Sequence, residues 1–178
     1  TAYEIRPRDW SSEVCSSDLS YRRIIGANER VQVGIVGYSD RFRNSLLPSF
    51  LTHNKSTNFD IVAISDIWRL RREQAVKDLQ QATGHGVMAY PNNDALYDSK
   101  SVDAVIISTA DFQHALHLIE AVKAGCDAYV EKPFAETMAD NRAALAAVRE
   151  TGKIVQVGSQ RRSGANYQAA ADFVKQGK

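Results

Sequence analysis

The stretch that decides the fold is "VQVGIVGYSDRF", residues 31–42, in which a short apolar run leads directly into a glycine. Such a run is typical of the first strand of a nucleotide-binding βαβ unit, where a glycine permits the tight turn that follows. The usual fingerprint there is G-x-G-x-x-G. Only Gly37 fits it, because Ser39 and Phe42 occupy the second and third glycine positions. The stretch alone leaves two interpretations open, a dinucleotide site with altered glycines or an ordinary strand–turn–helix.

Beyond this stretch, strand patterns and helix patterns alternate along the chain. Apolar, β-branched runs predict strands at residues 31–37, 59–66, 86–91, 102–110, 126–133 and 153–160. Amphipathic stretches predict helices at residues 43–53 (bent or interrupted by Pro48), 69–84, 92–99, 112–125 and 136–152, with a last helix starting at 165. Strands that alternate with helices through short turns form a parallel sheet covered on both faces. Residues 29–178 are therefore predicted to form an α/β domain with a doubly wound parallel sheet, a Rossmann fold.

The composition excludes several classes of function. The chain is 44% hydrophobic and 24% charged, as in soluble globular proteins. Its net charge of +1 provides no overall field toward nucleic acid or an anionic membrane. No apolar run approaches the ~20 residues that span a bilayer. The cysteines, Cys15 and Cys126, form neither a disulfide scaffold nor a metal-site spacing. We therefore expect no nucleic-acid partner, no membrane insertion and no metal.

The N-terminal segment does not look like part of the domain. Residues 9–19, "DWSSEVCSSDL", closely resemble D-W-S-S-D-V-C-S-S-D-L, the translation of a short-read sequencing adapter, with Glu13 in place of an Asp. We interpret residues 1–28 as a non-native or disordered segment and exclude them from the fold.

Candidate site residues follow the strands, because ligands of an open parallel sheet bind beyond the carboxyl ends of its strands, at the switch point. After the first strand, Gly37 permits the turn, and the next helix directs its N-terminal N–H groups toward a pyrophosphate. Ser39 is small enough to admit a phosphate. Asp40 is unfavourable beside a phosphate, and Arg41 is expected to offset its charge.

Asp66 ends the second strand, at a longer separation from Gly37 than the usual ~20 residues. An acid there accepts hydrogen bonds from the adenosine ribose and favours NAD over NADP. The alternative role is an N-cap for the next helix. NADP stays open because Arg69, Arg71 and Arg72 follow, and a 2′-phosphate binds arginine.

The later strands end on further candidates. Thr109 can line the path of the cofactor, while His114 in the next helix is either a ligand or a structural residue. Glu131 and Lys132 follow the fifth strand, where a lysine can hydrogen-bond a substrate hydroxyl and stabilise a developing alkoxide. The alternative is a surface ion pair. Gln160, after the sixth strand, reaches the nicotinamide or belongs to a solvated turn.

Taken together, these strand ends resemble the cofactor domain of the Gfo/Idh/MocA family, the glucose-fructose oxidoreductase and inositol dehydrogenase group. The resemblance rests on "VGIVGYSDRF", "STADFQH", "YVEKP" and "GKIVQVGSQRRS" and covers nearly everything from residue 29 onward. It implies that Lys132 is the catalytic residue of the domain, often preceding a cis proline. The residues that it implies for holding a nicotinamide cofactor are Gly37, Asp40, Arg41, Asp66, Thr109, Asp111, His114, Glu131 and Gln160.

The chain departs from the family pattern at Ser39, at Phe42 and at Ala110, where a proline is common. The rest of the pattern favours the first interpretation of the opening stretch, a pyrophosphate turn with unusual packing.

The resemblance implies NAD(P)-dependent hydride transfer from a secondary alcohol of a sugar or polyol. It also implies a second α/β domain that supplies a catalytic histidine, the substrate pocket and a homo-oligomer interface. That domain would lie beyond Lys178, so we expect this chain to bind nucleotide without turnover. Two alternatives remain, a glycosidase relative that oxidises its substrate transiently with bound NAD and a non-catalytic nucleotide-binding module.

Residues 21–37 also resemble the stretch that follows a twin-arginine export signal in many bacterial family members. A cytoplasmic and an exported location therefore both stay open.

Overall fold

The computed structural model describes residues 30–161 and 164–177. The predicted non-native or disordered segment, residues 1–28, lies outside these ranges. Six strands form one sheet in the described part: β1 (Val31–Val36), β2 (Phe59–Ser65), β3 (Met88–Tyr90), β4 (Ala104–Ile107), β5 (Asp127–Glu131) and β6 (Val155–Gly158). The α-helices there are α1 (Leu47–Thr57), α2 (Arg69–Thr83), α3 (Asn93–Asp98), α4 (His114–Lys123), α5 (Met138–Thr151) and α6 (Ala165–Lys175). A π-helical segment (Phe42–Leu46) precedes α1, and a 3-10 helix (Asp111–Gln113) precedes α4.

The order of the strands in the sheet is β3-β2-β1-β4-β5-β6, and all neighbouring strands are parallel. The chain moves outward from β1 to β3, crosses back to β4 and then moves outward on the other side. The switch point therefore lies between β1 and β4, where a crevice opens at the carboxyl edge. This arrangement confirms the predicted doubly wound parallel sheet.

The hydrophobic core has one layer on each face of the sheet. On one face, Ile35 and Ile64 pack with Leu79 of α2. On the other, Val36 and Ile107 belong to a cluster that also contains residues of α3, α4 and α5. Both faces are therefore covered by helices, which explains why the central strands read as almost continuous apolar runs.

The first predicted helix is interrupted just before Pro48 rather than at it. The chain forms the π-helical segment first, and α1 then begins at Leu47 with the proline in its first turn. Proline is tolerated there because its missing N–H group would have no intrahelical partner.

Phe42, at the third glycine position, begins the π-helical segment. A phenylalanine ring at this position must either push the helix away or turn outward. It does not turn outward, since Phe42 is fully buried with its ring centroid 5.8 Å from that of Tyr38. The bulky ring is accommodated by irregular helix geometry at the point where a glycine would permit close packing.

The last helix, α6, forms where the sequence predicts it, and none of its residues is buried. Its apolar side chains Tyr167, Phe173 and Val174 are exposed.

The described part of the chain offers neither a helix long and apolar enough to cross a membrane nor a cluster of three or more metal-ligating side chains.

Cys126 is a buried free thiol, and burial raises its pKa.

The loop between α2 and β3 generates a prediction about pH. His85 Nε2 lies 3.0 Å from Asp60 Oδ1, and its Nδ1 lies 3.1 Å from Gly86 O. These hydrogen bonds, the one to Asp60 above all, raise the pKa of His85 above its ordinary value of 6.5. The folded state thus binds the proton more tightly than the unfolded state. The resulting stabilisation is complete below pH 6.5 and is lost as the pH rises through the raised pKa.

As the pH rises through the pKa of His85, we expect the free energy of unfolding to fall by less than about 1 kcal/mol. The effect is small because the His85 side chain is 38% exposed and solvent screens its interaction with Asp60. Urea unfolding between about pH 5.5 and 8.5 measures this change, and His85→Gln should flatten it. The exposed His53→Gln is the control. Identical pH profiles for the two variants would contradict the prediction.

Candidate functional site

The main cleft lies at the carboxyl edge of the sheet, at the switch point between β1 and β4. Its volume is about 700 Å³. A smaller cavity of about 130 Å³ adjoins it, and both are lined by Arg41, Ser108 and Thr109. Because parallel strands all end at this edge, the segments after β1, β2, β3 and β4 converge on the main cleft, and those after β1, β4 and β5 on the smaller cavity.

The turn after β1 requires glycine. Gly37 has a φ of +85°, and a Cβ there would lie 2.6 Å from Thr109 Cγ2. The Gly37 N–H donates to Ser65 O at 2.9 Å, and Ser108 Oγ donates to Gly37 O at 2.8 Å. The loops after β1, β2 and β4 are thus bonded to one another around this residue.

Ser39 and Asp40 begin the helical segment that follows. Ser39 Oγ accepts a hydrogen bond from Phe42 N at 3.2 Å, so its oxygen caps the first turn while its O–H group can still donate. Asp40 is exposed and is bonded to Arg43, which holds the pKa of this carboxyl below its usual value. The expectation that Arg41 offsets Asp40 is therefore wrong, because Arg43 does so one helical turn away.

Arg41 pairs instead with Glu131 across the switch point. The Nε and Nη2 atoms of Arg41 lie 3.0 and 2.9 Å from Glu131 Oε1. Tyr129 Oη also donates to Oε1, at 3.3 Å, and Lys132 N donates to Oε2, at 3.2 Å. The Glu131 side chain is 3% exposed, so these donors compensate a buried carboxylate. The surface ion pair that we considered for Glu131 is therefore replaced by a clamp that joins the loop after β1 to the end of β5.

Asp66 lines the main cleft, and its carboxylate is held by backbone N–H groups. Oδ2 accepts from Tyr38 N at 2.9 Å, and Oδ1 accepts from Trp68 N at 2.8 Å. The N-cap of α2 is Trp68 and not Asp66, which excludes the alternative role as an N-cap. A carboxylate offers about four acceptor positions, so Asp66 keeps capacity for ribose hydroxyls.

Arg71 differs from the neighbouring arginines in facing the main cleft. Its guanidinium lies 5.4 Å from the centroid of the Trp68 ring, and its Nη1 donates to Tyr38 O at 3.2 Å. Arg72 donates to Asp66 O, and Arg69 pairs with Glu73.

Thr109 and His114 lie beside each other, with Thr109 lining both cavities and His114 the smaller one. Thr109 Oγ1 is buried without a hydrogen-bond partner in the described part of the chain. His114 is 1% exposed, with Nδ1 2.7 Å from Pro133 O and Nε2 3.2 Å from Thr109 O. The imidazole thus ties the loop after β4 to the loop after β5, and its direct contact with a cofactor stays a prediction. Thr109 supplies the free polar atom at this point.

Lys132 and Asp111 line the smaller cavity. Lys132 is exposed, and the peptide bond between Lys132 and Pro133 is cis. Gln160 is exposed in the turn after β6 and lines neither of these two cavities. The structure therefore brings the predicted site residues to the carboxyl edge of the sheet, and all of them except Gln160 line one of the two cavities.

Several side chains of the main cleft escaped the sequence analysis: Trp68, Asn93, His117 and Glu120. Asn93 lies three residues after the end of β3, a strand end at which the sequence reasoning named no candidate. His117 and Glu120 lie farther along a helix, where the rule of strand ends does not select them. The signal that the sequence does carry is a tryptophan two residues after Asp66, next to a predicted strand end.

Residues 31–159 match the profile of a protein family described as "Oxidoreductase family, NAD-binding Rossmann fold". Inositol 2-dehydrogenase 3 of Saccharopolyspora erythraea is 33% identical over 122 residues, which are 68% of this chain and 34% of that protein. The scyllo-inositol 2-dehydrogenase (NAD(+)) of Bacillus subtilis is 32% identical over 103 residues, 57% of this chain and 28% of that protein. The chain thus spans about a third of the length of these curated relatives.

Solved structures show the same fold at lower identity. The WlbA dehydrogenase of Chromobacterium violaceum, in complex with NADH and UDP-GlcNAcA, superposes with a TM-score of 0.75 at 21% identity, covering 85% of this chain and 41% of that one. The myo-inositol 2-dehydrogenase of Lactobacillus plantarum superposes with a TM-score of 0.69 at 22% identity, covering 84% and 42%.

The clamp between Arg41 and Glu131 is tested by a double-mutant cycle. Arg41→Met leaves the buried carboxylate without its cation and should lower the free energy of unfolding by roughly 2–3 kcal/mol. Adding Glu131→Gln removes the uncompensated charge and should restore most of the loss. Chemical denaturation of both single variants and the double variant measures the coupling. The control is Arg43→Met, which breaks the exposed pair with Asp40 and should change the free energy of unfolding much less, because solvent screens an exposed pair. Equal effects of the two arginine variants would show that the clamp does not stabilise the domain.

Proposed function

The chain belongs to the Gfo/Idh/MocA family of oxidoreductases and carries its NAD-binding Rossmann domain, and we propose that it is the cofactor-binding part of an enzyme that oxidises a secondary alcohol of a sugar or polyol. The observation that carries the proposal is the continuity of the two cavities. Asp66 lines the main cleft, Lys132 lines the smaller cavity, and Arg41 and Thr109 line both. A dinucleotide is an elongated ligand whose two ends need such separate subsites.

The side chains present fit this cofactor. Gly37 has no room for a Cβ, as expected where the backbone must bend tightly at a pyrophosphate. Thr109 Oγ1 is a buried polar atom without a partner in the described residues, and a bound ligand would satisfy it. Asp66 retains acceptor positions toward the cleft. When bound, the nicotinamide supplies the acceptor or donor of hydride.

Each group then has a defined part in binding. The start of the helical segment after Gly37 presents N–H groups without intrahelical partners to the pyrophosphate, and Ser39 can donate its hydroxyl. Asp66 accepts hydrogen bonds from the ribose. A 2′-phosphate would place its charge close to the Asp66 carboxylate, while Arg71 is already bonded to Tyr38 O. We therefore propose NAD as the preferred cofactor, with NADP bound more weakly.

Lys132 acts at the reacting end. Its ammonium group is proposed to hydrogen-bond the substrate hydroxyl and to stabilise the negative charge that develops on that oxygen during oxidation. The Lys132 N–H donates to Glu131 Oε2, so the clamp of Arg41 and Glu131 also positions the backbone that carries the lysine.

The relatives support a proposal for the substrate class. Relatives named inositol dehydrogenases match this chain, so a cyclic polyol is the first substrate to test. Because the chain spans about a third of their length, we propose that the substrate pocket, a homo-oligomer interface and a further catalytic group lie in the remaining part of the full-length protein. By this proposal the 178-residue chain binds NAD without steady turnover.

Thr109→Val separates cofactor binding from stability. The change removes the unpartnered hydroxyl and keeps the shape, so we expect the chain to be as stable as the wild type or more stable. The Kd for NAD, measured by isothermal titration calorimetry, should rise about 5- to 10-fold, because one hydrogen bond to the ligand is lost.

Thr151→Val is the matched control. It removes a hydroxyl that donates to Ala147 O in α5, away from both cavities, and should leave the Kd unchanged. An unchanged Kd in Thr109→Val would remove this residue from the cofactor site. A wild-type chain that binds neither NAD nor NADP saturably would favour the non-catalytic alternative.

Lys132→Met tests the chemistry in a form of the protein extended to the length of its relatives. With myo-inositol and NAD, the rate of NADH formation at 340 nm should fall by at least about 100-fold, the usual contribution of a positioned proton donor or acceptor. The Kd for NAD should change little. Lys153→Met, at the other end of β5 and β6, is the control. Wild-type protein that consumes a glycoside without net NADH would point to the glycosidase alternative, and retention of full activity in Lys132→Met would contradict the assigned role.

A further inference from the structure

A network of polar side chains lines the main cleft on the β2 and β3 side of the switch point, away from Lys132. Ser65 Oγ donates to Asn93 Oδ1 at 2.8 Å, and Asn93 Nδ2 donates to Glu120 Oε2 at 2.8 Å. His117 Nδ1 lies 2.8 Å from Asn93 Nδ2 and 3.0 Å from Glu120 Oε2. We infer that this network recognises the 6-amino group of the adenine ring, so that the site selects adenine dinucleotides over their 6-oxo counterparts. The inference rests on the proposed function.

The network presents an acceptor that its neighbours hold in place. The hydroxyl of Ser65 orients the Asn93 amide, so that Nδ2 faces Glu120. Glu120 Oε2 is occupied by these contacts, whereas Oε1 has no hydrogen-bond partner among residues 30–161 and 164–177. The Glu120 side chain lines the cleft and is 33% exposed. A carboxylate oxygen that is already positioned binds a donor with little loss of side-chain freedom.

The position of the network matches the base end of the cofactor. Ser65 directly precedes Asp66, the residue assigned to the adenosine ribose. Ile67 and Trp68, directly after Asp66, line the same cleft with 86% and 54% of their surface exposed. Apolar surface of this kind packs against the face of a planar base. A base attached to a ribose at Asp66 therefore lies between this surface and the first two turns of α4, which carry His117 and Glu120.

The chemistry of the acceptor distinguishes the two kinds of purine. Adenine carries a 6-amino group, which donates hydrogen bonds, whereas hypoxanthine carries a carbonyl oxygen, which only accepts. A carboxylate accepts from the amino group but has no proton to share with the carbonyl. The carbonyl would therefore face the negative charge of Glu120 without a hydrogen bond.

The experiment compares NAD with nicotinamide hypoxanthine dinucleotide, in which a carbonyl replaces the 6-amino group and the adjacent N1 carries a proton, by isothermal titration calorimetry on the 178-residue chain. We expect the wild type to bind NAD about 10- to 100-fold more tightly, the contribution of one hydrogen bond to a charged group. Glu120→Gln, whose amide can donate to the carbonyl, should reduce the ratio to within about 3-fold. Glu150→Gln, on the exposed surface of α5, should keep the wild-type ratio.

The outcomes separate this inference from the proposed function. A wild type that binds both dinucleotides equally overturns the inference and leaves NAD binding intact. A wild type that binds neither overturns the proposed function and the inference with it. An unchanged ratio in a folded Glu120→Gln variant also overturns the inference. If that variant does not fold, Glu120→Asp takes its place. The shorter side chain keeps the charge but moves the acceptor oxygen away from the base, so the ratio of the two Kd values should again fall. Preservation of the full ratio in Glu120→Asp would exclude recognition by Glu120.

Discussion

The close approach of Gly37 to Thr109 is the constraint on which the rest of the site depends. A Cβ at residue 37 would lie 2.6 Å from the threonine methyl group, so the loops after β1 and β4 can approach this closely only because residue 37 has no side chain. Ser108 Oγ then bonds Gly37 O, and Gly37 N bonds Ser65 O, which draws the end of β2 into the same arrangement. These hydrogen bonds join the bases of the loops that line the main cleft.

The clamp between Arg41 and Glu131 extends this arrangement to β5. The family fingerprint relies on glycines that let the helix pack closely, and this chain has Phe42 in such a position. The ring is fully buried and the helix begins irregularly. Arg41, just before it, then reaches a carboxylate that is 3% exposed. A buried carboxylate without a cation is strongly unfavourable, so the pair stabilises one position of the loop relative to the strand that carries Lys132.

Sequence reasoning found the residues that follow strands and misjudged some of their partners. Gly37, Asp66 and Lys132 could be found because the end of each strand is a local property, visible in a run of apolar residues. Asp40 was assigned to Arg41, whereas it pairs with Arg43. Neighbouring charges in a sequence suggest a pair. In a helix, however, residues three apart lie on the same side, so Asp40 contacts Arg43, while the Arg41 side chain contacts Glu131 of β5.

By itself, the sequence determined the alternation of strands and helices, the parallel sheet and the edge at which the site lies. Each of these follows from the local periodicity of apolar residues and from the handedness of βαβ units. Only the tertiary structure decided which side chains share the cleft. The Arg41–Glu131 pair joins groups 90 residues apart, and the Asn93–Glu120 contact joins two helices. Such contacts depend on how the strands are ordered in the sheet and on how the helices pack against it, and no periodicity within a single segment encodes that.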